Sequence, residues 1–258
     1  MIDRISGIFK GRQVLKSLII KNVKAKYAGS TLGILWTFIN PALLALVIFF
    51  IFTQIIRVNI RHFYLFIISG LLPWSFFACS LQETCSSIVT NANVLKQFPV
   101  PREFIPISVV CANFFAFILG LLVMLPFFAL LNKEVVFMLP LLLPLVFMHL
   151  VFTIGIALIL SAVYVYLRDI AQILSVLLIF WLWLTPVFYS VEMIPDKYKA
   201  LFILNPMTVY ISLYRGILFN VESFRFALIP FAAAISLISF ILGYVIFTRN
   251  EASFLKRI

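Results

Sequence analysis

The chain has 258 residues, of which 64% are hydrophobic, 16% aromatic and 11% charged, with a formal net charge of +11. Soluble domains are roughly 45–50% apolar and about 25% charged, so a solvated surface around one core is excluded, and with it a water-soluble enzyme. The mean hydropathy of +1.15 and the ordinary Gly and Pro content also exclude a disordered or collagen-like chain.

Residues 1–28 mix Arg4, Lys10, Arg12, Lys16, Lys21, Lys24 and Lys26 with Ile5, Ile8, Phe9, Leu15, Leu18 and Ile19. That mixture predicts an amphipathic helix lying in the membrane interface, weakened by Gly7 and Gly11. No apolar stretch of signal-peptide length occurs in this segment, so no cleaved leader is expected. A bilayer core of about 30 Å takes about 20 helical residues per crossing. The uncharged apolar runs predict six crossings, at 32–56, 63–89, 105–131, 135–167, 170–191 and 226–247. The fourth is longer than a bilayer needs, with Pro140 and Pro144 the expected break points.

Between the second and third crossings, residues 93–103 form a short link stiffened by Pro99 and Pro101. Residues 192–225 form the longest connection on the other side. Its apolar stretch includes Tyr210 and Tyr214 but is interrupted by Asn205, Pro206 and Arg215, too short and too polar to cross alone. A re-entrant or interfacial helical hairpin fits, since irregular backbone at membrane depth is tolerated where protein buries it. The fold class is therefore an all-α integral membrane protein with six transmembrane helices, an interfacial N-terminal helix and a hairpin before the last crossing. No internal repeat, low-complexity tract or second soluble domain is visible.

Six crossings return both termini to one side. If that side is the cytoplasm, it holds the N-terminal basic residues together with Lys96, Arg102, Arg168, Arg249, Lys256 and Arg257. The outer side keeps Arg57, Arg61, Lys133, Lys197, Lys199, Arg215 and Arg225, a smaller set. The positive-inside rule selects cytoplasmic termini, and the same distribution reads as membrane topology rather than a nucleic-acid surface.

Catalytic chemistry is hard to find. Cys79, Cys85 and Cys111 show neither disulfide framework nor zinc spacing. The histidines, His62 and His149, have no serine or metal-ligand constellation around them in sequence. No G-x-x-x-x-G-K-[ST] phosphate loop occurs. Glu83 is the one acid within the expected crossings. Counted from Phe63, it lies about 30 Å along a helix of 1.5 Å rise, near the inner interface. It reads either as an interfacial anchor at a solvated mouth or as the proton site of a carrier. His149 reads as a packing residue, because a relay needs partners.

Short motifs occur in a fixed order along the chain. They are KYAGSTLGILW from Lys26, with Tyr27, Gly29, Ser30, Gly33 and Trp36, then Asn40-Pro41; Gly70-Leu71-Leu72-Pro73-Trp74; and Pro101-Arg102-Glu103 with Pro106. Arg168-Asp169, Thr185-Pro186-Val187 with Tyr189, and Asn205-Pro206 follow. From about residue 15 to 248 this set resembles the membrane subunits of ABC exporters for bacterial surface polysaccharides, of the O-antigen, capsule and teichoic-acid type. One departure is Val100, where relatives commonly carry Phe before Pro-Arg-Glu.

The resemblance implies a single permease domain that works as a homodimer in the inner membrane with two copies of a cytoplasmic ATPase. No cofactor is expected in this chain, with ATP and magnesium in the partner. The cargo would be a lipid-linked polysaccharide. It further implies that 93–103 couples to the ATPase through Asn93, Lys96, Pro101, Arg102 and Glu103; a rigid turn with ordinary basic anchors is the plainer reading. Tyr27, Glu83, Arg168 and Asp169 are expected at the cytoplasmic mouth. Neighbours at i and i+1 do not face each other on a helix, so Arg168 and Asp169 should take different partners, linking the fourth and fifth crossings to their surroundings.

Trp181 and Trp183 lie roughly 200° apart on a helix, so one should point inward. Trp181, Thr185 and Phe188 share a face by spacing. Sugar rings stack their C–H faces on aromatics, so these three, with Trp36, Phe38, Phe76 and Phe77, are the expected glycan path. Most aromatics serve as lipid-facing bulk or interfacial belts. Alternatives from other classes are a stand-alone channel or a proton-coupled carrier using Glu83, and an intramembrane lipid-processing enzyme. Drug pumps of the same fold usually bring larger outer domains or fused ATPases.

Overall fold

Long apolar runs with no charge can satisfy their backbone inside a bilayer only as helices or closed barrels, and these runs form helices. The computed structural model describes residues 11–58, 60, 62–98, 100–131, 133, 135–219 and 227–257. The first ten residues of the expected interfacial helix, Pro99 in the link, and 220–226, where the hairpin ends and the last crossing begins, lie outside the described residues. Among the described residues there is no strand.

Helix α1 (Arg12–Tyr27) ends with Lys24 and Lys26 in its last turn, where cations complement the helix dipole. Gly29 (φ 75°) and Gly33 (φ 48°) then take left-handed backbone conformations. No atom lies within 4 Å of a Cβ built on either, so it is backbone conformation, not space, that asks for glycine here. A 3-10 turn (Gly33–Leu35) leads into α2 (Trp36–Phe50), which continues as a π-helical stretch to Ile55.

Helix α3 (Phe63–Cys85) is the axis of the molecule, with Ile67, Leu71, Phe77 and Leu81 among its buried residues. It stops at Ser86 rather than continuing to residue 89, and short helices α4 (Ser87–Thr90) and α5 (Ala92–Gln97) turn the chain away. Two long helices follow, α6 (Phe104–Leu131) and α7 (Val135–Tyr164). Pro140 and Pro144, expected as break points, sit within an uninterrupted α7. Prolines are tolerated in such helices where neighbouring groups re-satisfy the freed carbonyls.

The fifth expected crossing also differs. Helix α8 (Ile170–Trp183) has 14 residues, about 21 Å at 1.5 Å per residue, and ends before Thr185-Pro186 instead of reaching 191. Helices α9 (Asp196–Leu204) and α10 (Pro206–Phe219) meet at a bend of 97°. α9 is exposed at Tyr198, Leu201 and Leu204. α10 is buried at nearly every position from Met207 to Leu218, so it reaches into the bundle. The last helix is α11 (Leu228–Arg257). Among the described residues five helices are long and apolar enough to cross a membrane, or six if the bent pair counts as one broken span. This is a multi-pass membrane protein.

The core has three parts. The main cluster joins α3, α6, α7 and α10. A second, at the end of the bundle that holds α1, gathers Ile88, Leu95, Ile105, Leu158, Val165, Phe247 and Phe254. A third, at the opposite end, holds Phe128, Val135 and Leu218. Helices α7 and α11 approach closely at Gly155 and Gly243, where a Cβ on either would meet the facing helix's backbone. Ser239 Oγ donates to Phe152 O across the same crossing at 2.9 Å.

Candidate functional site: a polar trio, a docked link and an arginine clamp

Glu83 is not isolated in hydrocarbon. Lys26 Nζ donates to Glu83 Oε1 at 3.0 Å and also to Asn113 Oδ1. Asn113 Nδ2 donates to Glu83 Oε2 at 2.7 Å. The trio ties α1, α3 and α6 together, with the Lys26 and Glu83 side chains 31% and 46% exposed. Asn22 Nδ2, one turn earlier on α1, donates to Ser108 Oγ at 2.9 Å. Tyr27 Oη lies 2.7 Å from Thr37 Oγ1 and closes the α1–α2 turn. This arrangement suits an anchoring role for Glu83: its charge is matched by a cation and is partly in water.

Beside the trio lies a cavity of about 440 Å³, lined by Lys26, Tyr27 and Asn113 at one end and by Phe76 and Phe117 deeper in. Of the expected aromatics, Trp36 and Phe76 line it, and Trp36 is 42% exposed. Phe38 is half-buried and does not line it.

Arg168 and Asp169 do not link helices. Both are exposed, and the Arg168 guanidinium stands over the ring of Tyr164, one turn back on its own side of the turn, at 5.3 Å. The Asp169 backbone carbonyl accepts from Gln172 N and Ile173 N, opening α8. Among the described residues neither side chain forms an ion pair; the last helix meets this turn at Tyr166, through Asn250 and Arg257.

The link at 93–103 is held firmly. Leu95 inserts into the second core cluster, Glu103 is buried, and the Arg102 guanidinium donates to the carbonyl of Glu251 near the end of α11. Pro101 O accepts from Phe104 N, starting α6. Asn93, Lys96, Gln97 and Phe98 face outward, so a short helix braced by α6, α7 and α11 presents a polar face with one exposed aromatic.

At the other end, Asn205 is saturated. Its Oδ1 accepts from Trp181 Nε1 at 2.8 Å and from Met207 N at 3.0 Å. Its Nδ2 donates to Thr185 Oγ1 at 2.9 Å and Leu184 O at 3.2 Å. It caps α10, with Pro206 at the first helical position, where a missing N–H costs nothing. Trp181 thus turns inward against Trp74 and Phe77, while Trp183 is 56% exposed. Phe77, Thr185 and Phe188 are buried: Phe77 packs against Trp74, Phe152 and Trp181, Thr185 is held by Asn205 and Phe188 lies against Trp183.

Arg215 is 7% exposed. Its guanidinium donates to Pro186 O (2.5 Å), Val187 O (2.6 Å), Phe66 O (3.2 Å), Tyr189 O (3.4 Å) and Ser69 Oγ (3.4 Å). It also lies 3.5 Å from the centre of the Phe66 ring. Nearby, Tyr210 Oη bonds Ser236 Oγ at 2.6 Å, and His149 stacks on Tyr210 at 4.6 Å with Tyr214 Oη 3.4 Å from its Nδ1. His149 packs among these rings. The clamp formed by Arg215 was not legible from sequence; a lone arginine in an apolar hairpin is its one signal. Among the described residues no group of His, Cys, Asp or Glu is arranged to hold a metal.

Residues 13–219 match the model of the ABC-2 type transporter family. The chain belongs to that family. An O-antigen export system permease protein RfbA of Myxococcus xanthus is 35% identical over 222 residues, covering 85% of both chains. A protein of the same description from Klebsiella pneumoniae is 31% identical over 201 residues, covering 78% of both. The ABC-2 type match spans α1 through α10 and so takes in the Lys26, Glu83 and Asn113 trio, the docked link, Asn205 and Arg215.

Proposed function

We propose that this chain is the membrane-spanning permease of an ABC exporter that moves a lipid-linked polysaccharide of the O-antigen kind out of the cytoplasm. Two copies form the conduit, and two copies of a separate ATPase subunit, using ATP and magnesium, drive it. The chain lies in the inner membrane with the α1 end of the bundle in the cytoplasm. It makes and breaks no bond itself.

The observation that carries this reading is the braced helix α5. Its face at Asn93, Lys96 and Gln97 is exposed, while Leu95 packs into the cluster shared by Ile105, Leu158, Phe247 and Phe254, and Arg102, between α5 and α6, holds the Glu251 carbonyl of α11. A push on Asn93, Lys96 or Phe98 would pass through that cluster into the bundle, which is what an ATP-driven partner requires. The relatives described as O-antigen export permeases support the cargo. The exposed apolar faces of α2 (Leu43, Val47, Phe50) and α8 (Val176, Phe180, Trp183) suit contact with lipid or a second copy. α10, held by Asn205 and Arg215, closes the outer end.

Copurification in mild detergent from the native membrane tests the reading. A stoichiometric ATPase subunit is expected. Vectorial cargo movement by the purified chain alone, reconstituted without companion, overturns it.

A further inference from the structure

Two loops at the α1 end of the bundle are held by the same helix end. The first is the link at 93–103, where the Arg102 guanidinium donates to the Glu251 carbonyl of α11. The second is the turn between α7 and α8. Tyr166 Oη donates to Asn250 Oδ1 at 3.2 Å, and the Arg257 guanidinium stands 4.5 Å from the centre of the Tyr166 ring. The Asn250 amide is itself fixed, since its Nδ2 donates to Ile246 O at 2.8 Å. In the same turns of α11, Phe254 is fully buried and meets Phe247 edge-on at 5.2 Å. It belongs to the cluster that also holds Leu95 of the link and Val165 at the turn. What the turn steers is α8. Of the 14 residues of α8, Leu174 and Leu178 are the buried ones, and a segment with few buried contacts shifts more readily than the core beside it. Its far end is fixed by Trp181 on Asn205. Its near end starts on the turn, where Gln172 N and Ile173 N both donate to Asp169 O at 3.0 Å. A displaced turn therefore carries the start of α8 with it.

We infer that the last turns of α11 are a strut that ties the link to the entry of α8, with Tyr166, Asn250 and Arg257 as its positioning residues. Movement imposed on α5 reaches α8 through Arg102, the end of α11 and Tyr166. α11 is a stiff carrier for it, because the helix lies backbone to backbone on α7 at Gly155 and Gly243. Two independent fasteners would show the same contacts. A strut differs from them in a coupling free energy between the two loops, and such a coupling is reciprocal. This inference deepens the export reading by naming the path from the link to a membrane helix, and it rests on that reading.

Amide hydrogen exchange on the full chain in phosphatidylcholine nanodiscs reads that coupling. The Tyr166, Leu167, Gln172 and Ile173 amides are hydrogen-bonded at the turn, and those of Leu95 and Phe98 in the link, so each has protection to lose. Arg102→Ala is expected to speed exchange of the four turn amides about fivefold, the scale of one lost hydrogen bond. Tyr166→Phe combined with Arg257→Gln cuts the strut at side chains that are exposed. This pair is expected to speed the same four amides to a similar degree and, by reciprocity, those of Leu95 and Phe98. Adding Arg102→Ala to the cut pair is expected to change nothing further at the turn. Thr248→Val removes a hydroxyl that donates to Val245 O of its own helix and is expected to leave both loops as they are. Unchanged turn amides in Arg102→Ala, or effects that multiply when the two cuts are combined, overturns the strut. If Arg102→Ala does not fold, the cut pair decides alone: faster exchange at Leu95 and Phe98 supports the strut, and no change there overturns it. In vesicles carrying the whole transporter, the cut pair is expected to lose most export while ATP hydrolysis continues, and full export overturns the strut as well. The exchange measurement needs no ATPase, so the two readings fail separately. A stoichiometric ATPase with uncoupled loops removes the strut and keeps the export reading, while coupled loops with no copurifying ATPase remove the export reading.

Discussion

Gly243 rests against the backbone of Gly155, so that α7 and α11 touch main chain to main chain, and a Cβ on Gly243 would strike the Gly155 carbonyl. Between membrane helices there is no hydrophobic drive to associate, and close packing of small residues takes its place. Gly243→Leu should force the pair apart at a cost of about 1–3 kcal/mol or more, as overpacking does. A lowered thermal midpoint in detergent checks this. Gly29→Ala, where no atom crowds the site but φ is positive, should cost about 1 kcal/mol, and an equal loss in both variants would contradict the steric account.

Asn205 supplies two acceptances and two donations that join α8 to the start of α10. Asn205→Ala leaves the Trp181 indole N–H and the Met207 amide without their acceptor, at about 1–3 kcal/mol for each buried group orphaned. Trp181→Phe removes one partner only and should cost less. A double-mutant cycle between the two should give a coupling of about 0.5–3 kcal/mol; additivity would show that the indole bond contributes nothing.

Arg215 spends its guanidinium on neutral acceptors from two segments, 66–69 of α3 and 186–189. Lysine keeps the charge but has three donors and no planar fork. Arg215→Lys should therefore be nearly as damaging as Arg215→Met, each lowering export and freeing the 186–189 segment to proteolysis. Wild-type protease resistance in Arg215→Lys would show that charge alone holds the clamp.

Arg102→Glu should leave membrane insertion intact and uncouple ATP hydrolysis from export, because the reversed charge repels the Glu251 carbonyl that the guanidinium now holds. The readout is the ratio of ATP hydrolysed to cargo moved in vesicles carrying the whole transporter. An unchanged ratio removes the coupling role of this link.

Glu83→Gln keeps one oxygen for Lys26 but places an NH2 where the second carboxylate oxygen accepts from Asn113 Nδ2; exposed ion pairs contribute about 0–1 kcal/mol and a lost hydrogen bond about 0.5–1.5 kcal/mol. Stability should change by no more than that, and ATP-driven export should persist. Loss of cargo movement in vesicles that lack any ATPase would instead favour a proton-coupled carrier.

The all-helical, membrane-spanning architecture was legible because a helix must be about 20 residues long and apolar to span a bilayer, and hydropathy reads that directly. Even so, the end of α8 was overestimated: residues 184–191 are apolar enough to continue a crossing, but Pro186 and the turn captured by Asn205 and Arg215 stop the helix at Trp183. Of the expected sites, Tyr27, Trp36 and Phe76 gather around one cavity, whereas Phe77, Thr185 and Phe188 are packed away. Helical spacing placed Trp181, Thr185 and Phe188 on one face, but the helix ends at Trp183, so that face does not form.

Length, apolar content and ordered motifs by themselves determined that the chain is a helical membrane protein and which family it resembles. Which helix faces meet was decided only in three dimensions. In a soluble helix the buried face is apolar and the other polar, so sequence marks the inside. Here lipid-facing and core-facing positions are both apolar, and the contacts that choose one packing, Gly155 on Gly243, Lys26 with Glu83 and Asn113, Arg215 on the 186–189 carbonyls, join residues far apart in the chain.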